Sequence, residues 1–93
     1  MDVVFTYGRF NPPHLGLKMM VEEVINKASK MNKIPVVVVS HSYGNKSNPL
    51  SVADKTRILK KWFPELTVLS SSKNLSLAKI SENFDEKSVM VVG

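Results

Sequence analysis

The fold is decided by residues 6–17, which read Thr-Tyr-Gly-Arg-Phe-Asn-Pro-Pro-His-Leu-Gly-Leu. An apolar run at residues 3–5 precedes this stretch and a long helical pattern follows it, so it joins the end of a strand to the start of a helix. Prolines suit the start of a helix but not its interior, which agrees with Pro12 and Pro13. In parallel α/β proteins, ligands bind beyond the carboxyl ends of strands, where helix N-termini present N–H groups to anions. We therefore expect a ligand site here.

The rest of the chain alternates between strand and helix patterns. The apolar run within residues 2–7 and the four valines at 36–39 predict strands that are buried on both faces. Apolar residues at helical spacing within 15–31 predict a long helix with one buried face. Similar patterns predict a helix at 51–63, a strand at 66–69, a turn at 70–72, a short helix at 77–84 and a strand at 88–92.

The second helix has clear boundary signals. Ser51, followed three residues later by Asp54, is close to a capping box, and Pro64 ends the helix. The resulting order, β-α-β-α-β-α-β, predicts a mostly parallel sheet with helices on both faces. We expect the strand order three, two, one, four, which places the switch point between the first and fourth strands. The length of 93 residues predicts one domain, 1–93.

The composition favours anionic partners. The net charge is +5, with a sequence pI of about 9.6, which suits nucleotides or nucleic acid. Lys27, Lys30 and Lys33 are spread along one segment and there is no arginine-rich run, so solvated lysines are the simpler interpretation and nucleic-acid binding the weaker alternative. The chain has no cysteine, which excludes disulfides and fits a cytosolic protein. No apolar stretch is long enough to cross a membrane.

The residue types in the opening stretch predict a phosphate site. Gly8 and Gly16 lack a Cβ atom, so the backbone there can approach a ligand closely. Arg9 carries a planar guanidinium that matches phosphate oxygens, and His14 can donate a hydrogen bond to them. Each residue alone has a simpler interpretation, as a turn glycine, a solvated arginine or a histidine packed at the helix start. Their combination in one short turn favours a polyphosphate cradle that acts electrostatically.

Residues 8–16, Gly-Arg-Phe-Asn-Pro-Pro-His-Leu-Gly, resemble the G-x-F-x-P-x-H-x-G-H signature of the nucleotidyltransferase superfamily. The Gly-Arg-Phe form is most similar to archaeal-type nicotinamide mononucleotide (NMN) adenylyltransferases and related viral proteins. Asn48-Pro49-Leu50-Ser51, followed by Lys55, is similar to the Asn-Pro-Phe-Thr segment that opens the second helix in that family. The resemblance covers about two thirds of the chain. It implies a Rossmann-like parallel sheet.

The resemblance also implies a reaction. The family transfers a nucleotidyl group from a nucleoside triphosphate, such as ATP or CTP, to a phosphomonoester and releases pyrophosphate, usually with Mg²⁺. It implies that His14 and Arg9 contact the triphosphate. The remaining nucleotide-binding positions would be Gly8, Phe10, Gly16 and Gly93, and the acceptor-side positions would be Asn48 and Ser51.

Other metal and acceptor-site candidates come from position alone. His41 follows the second strand and could reach the acceptor side of the same cleft, or it could face solvent on a loop. No spacing of His14 and His41 with a carboxylate predicts a protein metal site.

Two departures from the family bear on catalysis. Leu17 stands where the signature has its second histidine, and leucine can neither donate a hydrogen bond nor carry charge. The family also continues past its fourth strand with a second phosphate-binding segment. We therefore expect a fragment or a pared-down relative that self-associates or is completed by another chain segment. The alternative function is a catalytically degenerate nucleotide-binding or assembly module, and a viral protein of this kind would act in the host cytoplasm or the virion.

Overall fold

The computed structural model describes residues 1–10, 15–41 and 50–92. Strands and helices alternate as the sequence predicts: β1 (Val3–Gly8), α1 (Leu15–Met31), β2 (Ile34–Val39), α2 (Val52–Trp62), β3 (Thr67–Ser70), α3 (Leu77–Ser81) and β4 (Val89–Met90). None of the described helices combines the length and the apolar character needed to cross a lipid bilayer.

The four strands form one parallel sheet in the order β3-β2-β1-β4. The predicted fold class and strand order are therefore confirmed. All six residues of β1 pair with β2, in a register that runs from Val3 opposite Ile34 to Gly8 opposite Val39. The other side of β1 pairs with β4, so β1 is an interior strand. The chain moves outward from β1 to β3 and then crosses back to β4, which places the switch point between β1 and β4.

The valines of β2 supply both halves of the core. Val37 and Val39 pack on the face covered by α1 and α2, whereas Val36 and Val38 pack on the face with α3. All four are fully buried, because successive strand residues point to opposite faces and helices cover both. Burying each valine contributes about 1.5 kcal/mol or more.

Helix α1 buries the stripe that its spacing predicts. Val21, Val24 and Ala28 are fully buried against the sheet, and Leu17 packs at the edge of the same layer. Helix α2 begins at the predicted cap, since the Ser51 hydroxyl accepts a hydrogen bond from the Asp54 backbone N–H at 3.2 Å. It ends one residue earlier than predicted, with Phe63 as the C-terminal cap.

Some element ends differ from the predictions. Strand β3 includes Ser70, which we predicted to lie in a turn, because its pairing with β2 continues to Val39. Strand β4 is limited to Val89 and Met90, since only these residues pair with β1. Helix α3 ends at Ser81, although the Phe84 ring still packs on the sheet against Phe5, with ring centroids 4.8 Å apart.

One of the lysines expected to be solvated is not. Lys27 and Lys30 are exposed on α1, as predicted. The Lys33 side chain is only 7% exposed, and its ammonium donates to an Asp2 carboxylate oxygen at 2.6 Å and to the Lys87 carbonyl at 2.7 Å. The interpretation of Lys33 as solvated was therefore wrong, because the start of β1 brings a carboxylate within its reach.

Leu59 is 1% exposed between α2 and the sheet, so its truncation should be costly. Leu59→Ala should lower the free energy of unfolding by about 2–5 kcal/mol, because the cavity cannot collapse fully. Leu75→Ala is the matched control. Leu75 is 43% exposed, so its truncation should lower the free energy of unfolding far less. Urea denaturation at equilibrium measures both. Equal losses in the two variants would contradict this description of the core.

Candidate functional site

The carboxyl ends of the four strands meet at one edge of the sheet, which we call the carboxyl edge and define by Gly8, Val39, Ser70 and Met90. Backbone hydrogen bonds continue the pairing one step beyond the strand ends. Ser40 N–H donates to the Gly8 carbonyl at 2.9 Å, and Ser71 N–H donates to the Val39 carbonyl at 2.9 Å. The segments that leave this edge are therefore held in register with one another.

The turn after β1 is held by Phe10. Phe10 has a positive φ of 49°, an uncommon conformation for a side chain of this size, and is 1% exposed in the core with Leu59 and Phe63. A Cβ atom on Gly8 would lie 3.1 Å from the Phe10 ring, so the ring occupies the space that a side chain at position 8 would need. Between these two residues, Arg9 is exposed. The buried ring thus fixes the backbone that presents Arg9 at the carboxyl edge.

Helix α1 begins on the same side of the sheet. Gly16 is its second residue and is exposed, in agreement with the prediction that it lies in the first turn. The first N–H groups of a helix have no partner within it, and the dipole of a 17-residue helix favours an anion at this end. The neighbouring Leu17 packs against the core layer, so it contributes to folding at the position where the family signature has a histidine.

A buried hydroxyl on β1 bonds the segment after β4 at the switch point. The Thr6 hydroxyl is 1% exposed and donates to the Val91 carbonyl at 2.8 Å. Val91 N–H donates in turn to the Phe5 carbonyl at 2.8 Å. These two bonds tie the segment after β4 to β1, although the β4 ladder itself is only two residues long.

His41 is held at the carboxyl edge by Ser71. The His41 backbone N–H donates to the Ser71 hydroxyl at 3.2 Å, and the ring Nδ1 lies 3.0 Å from the same oxygen. Ser71 is 3% exposed, whereas His41 is exposed. The sequence left open whether His41 reaches the acceptor side of the cleft or faces solvent. In the structure it faces solvent, and its contacts with Ser71 hold it beside the other strand ends.

A buried lysine lies beneath the start of α2. Lys55 is fully buried and its ammonium donates to the Ser40 carbonyl at 2.6 Å. Burial lowers the pKa of Lys55 from its ordinary value of 10.5, because the charged form is poorly solvated there. Lys55 is also the fourth residue of α2, where the helix dipole disfavours a cation. The Ser40 hydroxyl beside it is buried and has no hydrogen-bond partner among the described residues.

Six of the nine predicted site residues lie within the described residues and three lie outside them. Gly8, Arg9, Gly16, His41 and Ser51 lie at strand ends or helix starts on the side of the carboxyl edge, and Phe10 lies in the core below. His14, Asn48 and Gly93 lie outside the described residues, so their predicted roles stay predictions.

Sequence reasoning gave Lys55 no role beyond its place in the segment that resembles the family, and it missed Ser71 as part of this edge. Lys55 carried a weak signal in the sequence, since it is a lysine in the first turn of a helix, where carboxylates are preferred. Ser71 carried none, because it is the middle residue of three serines.

The resemblance implies Mg²⁺, for which the described residues offer no set of protein ligands. The described residues contain no group of three or more His, Asp or Glu side chains that could hold a metal ion. Mg²⁺ in phosphoryl-transfer sites is bound largely by substrate phosphates and water, so a protein cage is not required. The ion implied by the resemblance would therefore enter with its substrate, as a Mg²⁺–nucleotide complex.

The chain was compared with protein-family models and with curated proteins. No protein-family model matches the chain, and no curated protein matches it. The fold, the turn after β1 and the polar groups at the carboxyl edge are the observations on which a function can be argued.

The contact between Gly8 and the Phe10 ring yields a prediction. Gly8→Ala should lower the free energy of unfolding by about 1–3 kcal/mol, because the buried ring has no room to retreat by the required few tenths of an ångström. In a Phe10→Leu background the same substitution should cost clearly less, since the ring is gone. Chemical denaturation of the four proteins in this double-mutant cycle measures the coupling. An equal cost of Gly8→Ala in both backgrounds would show that the ring does not limit position 8.

The lowered pKa of Lys55 makes stability depend on pH. Between the folded-state pKa and 10.5 the unfolded chain binds more protons at Lys55 than the folded chain, so the free energy of unfolding should rise with pH there. Lys55→Met removes this dependence. The stability of the wild type minus that of Lys55→Met, measured by urea denaturation, should therefore increase as the pH is raised from neutral towards 10.5. Lys60→Met is the control for loss of a lysine from the same helix. A difference in free energy of unfolding between the wild type and Lys55→Met that does not change with pH would contradict this prediction.

Proposed function

We propose that the chain is a nucleotidyltransferase-type domain that binds a Mg²⁺–nucleoside triphosphate at the carboxyl edge. The observation that carries this proposal is the exposed Arg9 on a turn fixed by the buried Phe10 ring, at the end of the interior strand β1. The start of α1 and the β1–β4 switch point lie beside that turn. An arginine fork and helix N–H groups at one edge of a parallel sheet form an arrangement suited to polyphosphate.

The reaction that fits this arrangement is nucleotidyl transfer to a phosphomonoester, with NMN as the model acceptor. A phosphate oxygen of the acceptor attacks the α-phosphorus in line, the bond from that phosphorus to the bridging oxygen breaks, and pyrophosphate leaves with the bond's electron pair. No covalent intermediate with the protein is required. Positioning and charge neutralisation supply the rate enhancement, and Arg9 is the described side chain suited to the charge on the triphosphate. By resemblance, His14 would add a second contact.

The acceptor would lie towards β2 and α2. His41 is exposed there, and Ser51 caps the start of α2. Asn48 is the third acceptor-side residue by resemblance. The buried Lys55 ammonium lies behind this side of the edge and favours an anion in front of it.

The second candidate function is a nucleotide-binding or assembly module without turnover. It is favoured by Leu17, which packs against the core where the family signature has a histidine. Loss of one preorganised donor to the transition state typically lowers the rate on the order of a hundredfold or more. Binding of the triphosphate would survive such a loss.

Nucleotide binding is the first test. Mg²⁺–ATP or Mg²⁺–CTP should bind to the chain in calorimetric titrations, and Arg9→Ala should weaken binding about tenfold, because a charge-assisted hydrogen bond contributes roughly 1.5 kcal/mol or more. Lys30→Ala is the matched control, since it also removes one exposed positive charge but lies in the last turn of α1, far from the carboxyl edge. Equal weakening of nucleotide binding in both variants would mean that Arg9 acts only through the net charge of the chain. The absence of any nucleotide binding would overturn the proposal.

Turnover separates the two candidate functions. Pyrophosphate release that requires both Mg²⁺–ATP and NMN supports the enzyme, and binding without release supports the degenerate module. In the second case Leu17→His should restore measurable release if the missing histidine alone prevents catalysis. Salt-sensitive binding of arbitrary nucleic acid, without nucleotide binding, would favour the nucleic-acid alternative instead.

A further inference from the structure

The contact between His41 and Ser71 joins the ends of β2 and β3, away from the turn after β1. The β2–β3 ladder ends with Ser71 N–H donating to the Val39 carbonyl. At the next step the His41 N–H donates to the Ser71 hydroxyl, and the Ser71 carbonyl instead accepts from the Ser70 hydroxyl at 2.8 Å. The Ser71 hydroxyl therefore takes the place of a backbone acceptor at the end of the ladder.

This arrangement decides where the hydroxyl hydrogen of Ser71 can go. A serine hydroxyl has one hydrogen to donate and two lone pairs that accept. One lone pair already accepts from the His41 backbone. Because Ser71 is 3% exposed, its hydrogen needs an acceptor within the protein, and His41 Nδ1, 3.0 Å away, is the one found among the described residues.

A hydrogen bond from Ser71 to Nδ1 fixes the tautomer of the ring. Nδ1 can accept only when it carries no hydrogen, so the hydrogen of a neutral ring then lies on Nε2. We propose that Ser71 is a positioning residue that holds His41 as the Nε2–H tautomer and makes its exposed side chain a hydrogen-bond donor for an anionic phosphate oxygen at the carboxyl edge.

The surroundings of His41 agree with an anionic ligand. The preceding residue, Ser40, accepts a hydrogen bond from the Lys55 ammonium through its carbonyl. The carboxylate of Asp54, the one acidic side chain in α2, is paired with Arg57. The identity of the anion as the phosphate of a phosphomonoester rests on the proposed function, whereas the tautomer of His41 does not.

The tautomer is tested directly by NMR of the full chain labelled with ¹⁵N at histidine. The chain contains only His14 and His41, so His14→Gln assigns the signals. In the neutral ring of His41, the signal of the unprotonated nitrogen should belong to Nδ1. Finding it at Nε2 in the wild-type protein would overturn the proposal without any variant at Ser71.

Two variants test the role of the hydroxyl. Ser71→Ala should shift His41 towards a mixture of both tautomers, and Ser71→Thr, which keeps a hydroxyl, should retain the wild-type pattern. Ser70→Ala is the control, because it removes a neighbouring hydroxyl that bonds the Ser71 carbonyl and not the ring. A Ser71→Ala spectrum identical to that of the wild type would contradict the positioning role.

The donor role is tested with inorganic phosphate as the probe. Phosphate should shift the His41 Nε2–H signal, and Ser71→Ala should raise the phosphate concentration needed about twofold, because only about half of the rings in a mixture of tautomers carry the donating hydrogen on Nε2. No response of His41 to phosphate, or an equal response in both proteins, would overturn the assignment. If His41 fails this phosphate test while Mg²⁺–ATP still binds in an Arg9-dependent manner, this inference fails and the proposed function stands. If neither the His41 response to phosphate nor Arg9-dependent binding of Mg²⁺–ATP is found, the proposed function fails as well.

Discussion

The parallel pairing of β1 with β2 is the constraint on which the rest of the structure depends. It runs without a break over six residue pairs and places two strand ends, Gly8 and Val39, side by side. A parallel pair needs a crossover, so α1 must cover one face and begin near the end of β1. Pro35 is tolerated in β2 because β3 pairs only with Val36–Val39, so the missing N–H is not required by that neighbour. Once this pair is fixed, the carboxyl edge follows.

The carboxyl edge combines buried anchors with exposed polar groups. On the β1 side the Phe10 ring is buried and Arg9 is exposed beside it. On the β2 side Ser71 is buried and His41 is exposed beside it. In both places the buried residue restricts the conformation of its exposed neighbour, which lowers the entropy that a ligand would have to remove. Arg9 follows β1 and His41 follows β2, so the two exposed side chains leave the ends of adjacent, paired strands.

Much of this fold was predictable from the sequence, because burial on both faces leaves a strong pattern. The four valines of β2 and the stripe of Val21, Val24 and Ala28 on α1 are all buried, as expected. The limits of β3 and β4 were not predictable, since they depend on which partner residues lie opposite and not on local composition. The same holds for Lys55 and Ser71, whose partners Ser40 and His41 are distant in sequence. A lysine and a run of serines are both typical of solvent-facing segments, and only the tertiary structure shows that Lys55 and Ser71 are buried.

The central claim is that a Mg²⁺–nucleotide binds at the carboxyl edge of this sheet. Backbone amide chemical-shift mapping of the ¹⁵N-labelled chain during a titration with Mg²⁺–ATP tests it most directly. The account predicts that the largest shifts cluster at Gly8, Arg9 and Gly16, with little change at the opposite edge around Lys33 and Ser88. Shifts that cluster at that opposite edge, or no shifts at saturating nucleotide, would contradict it.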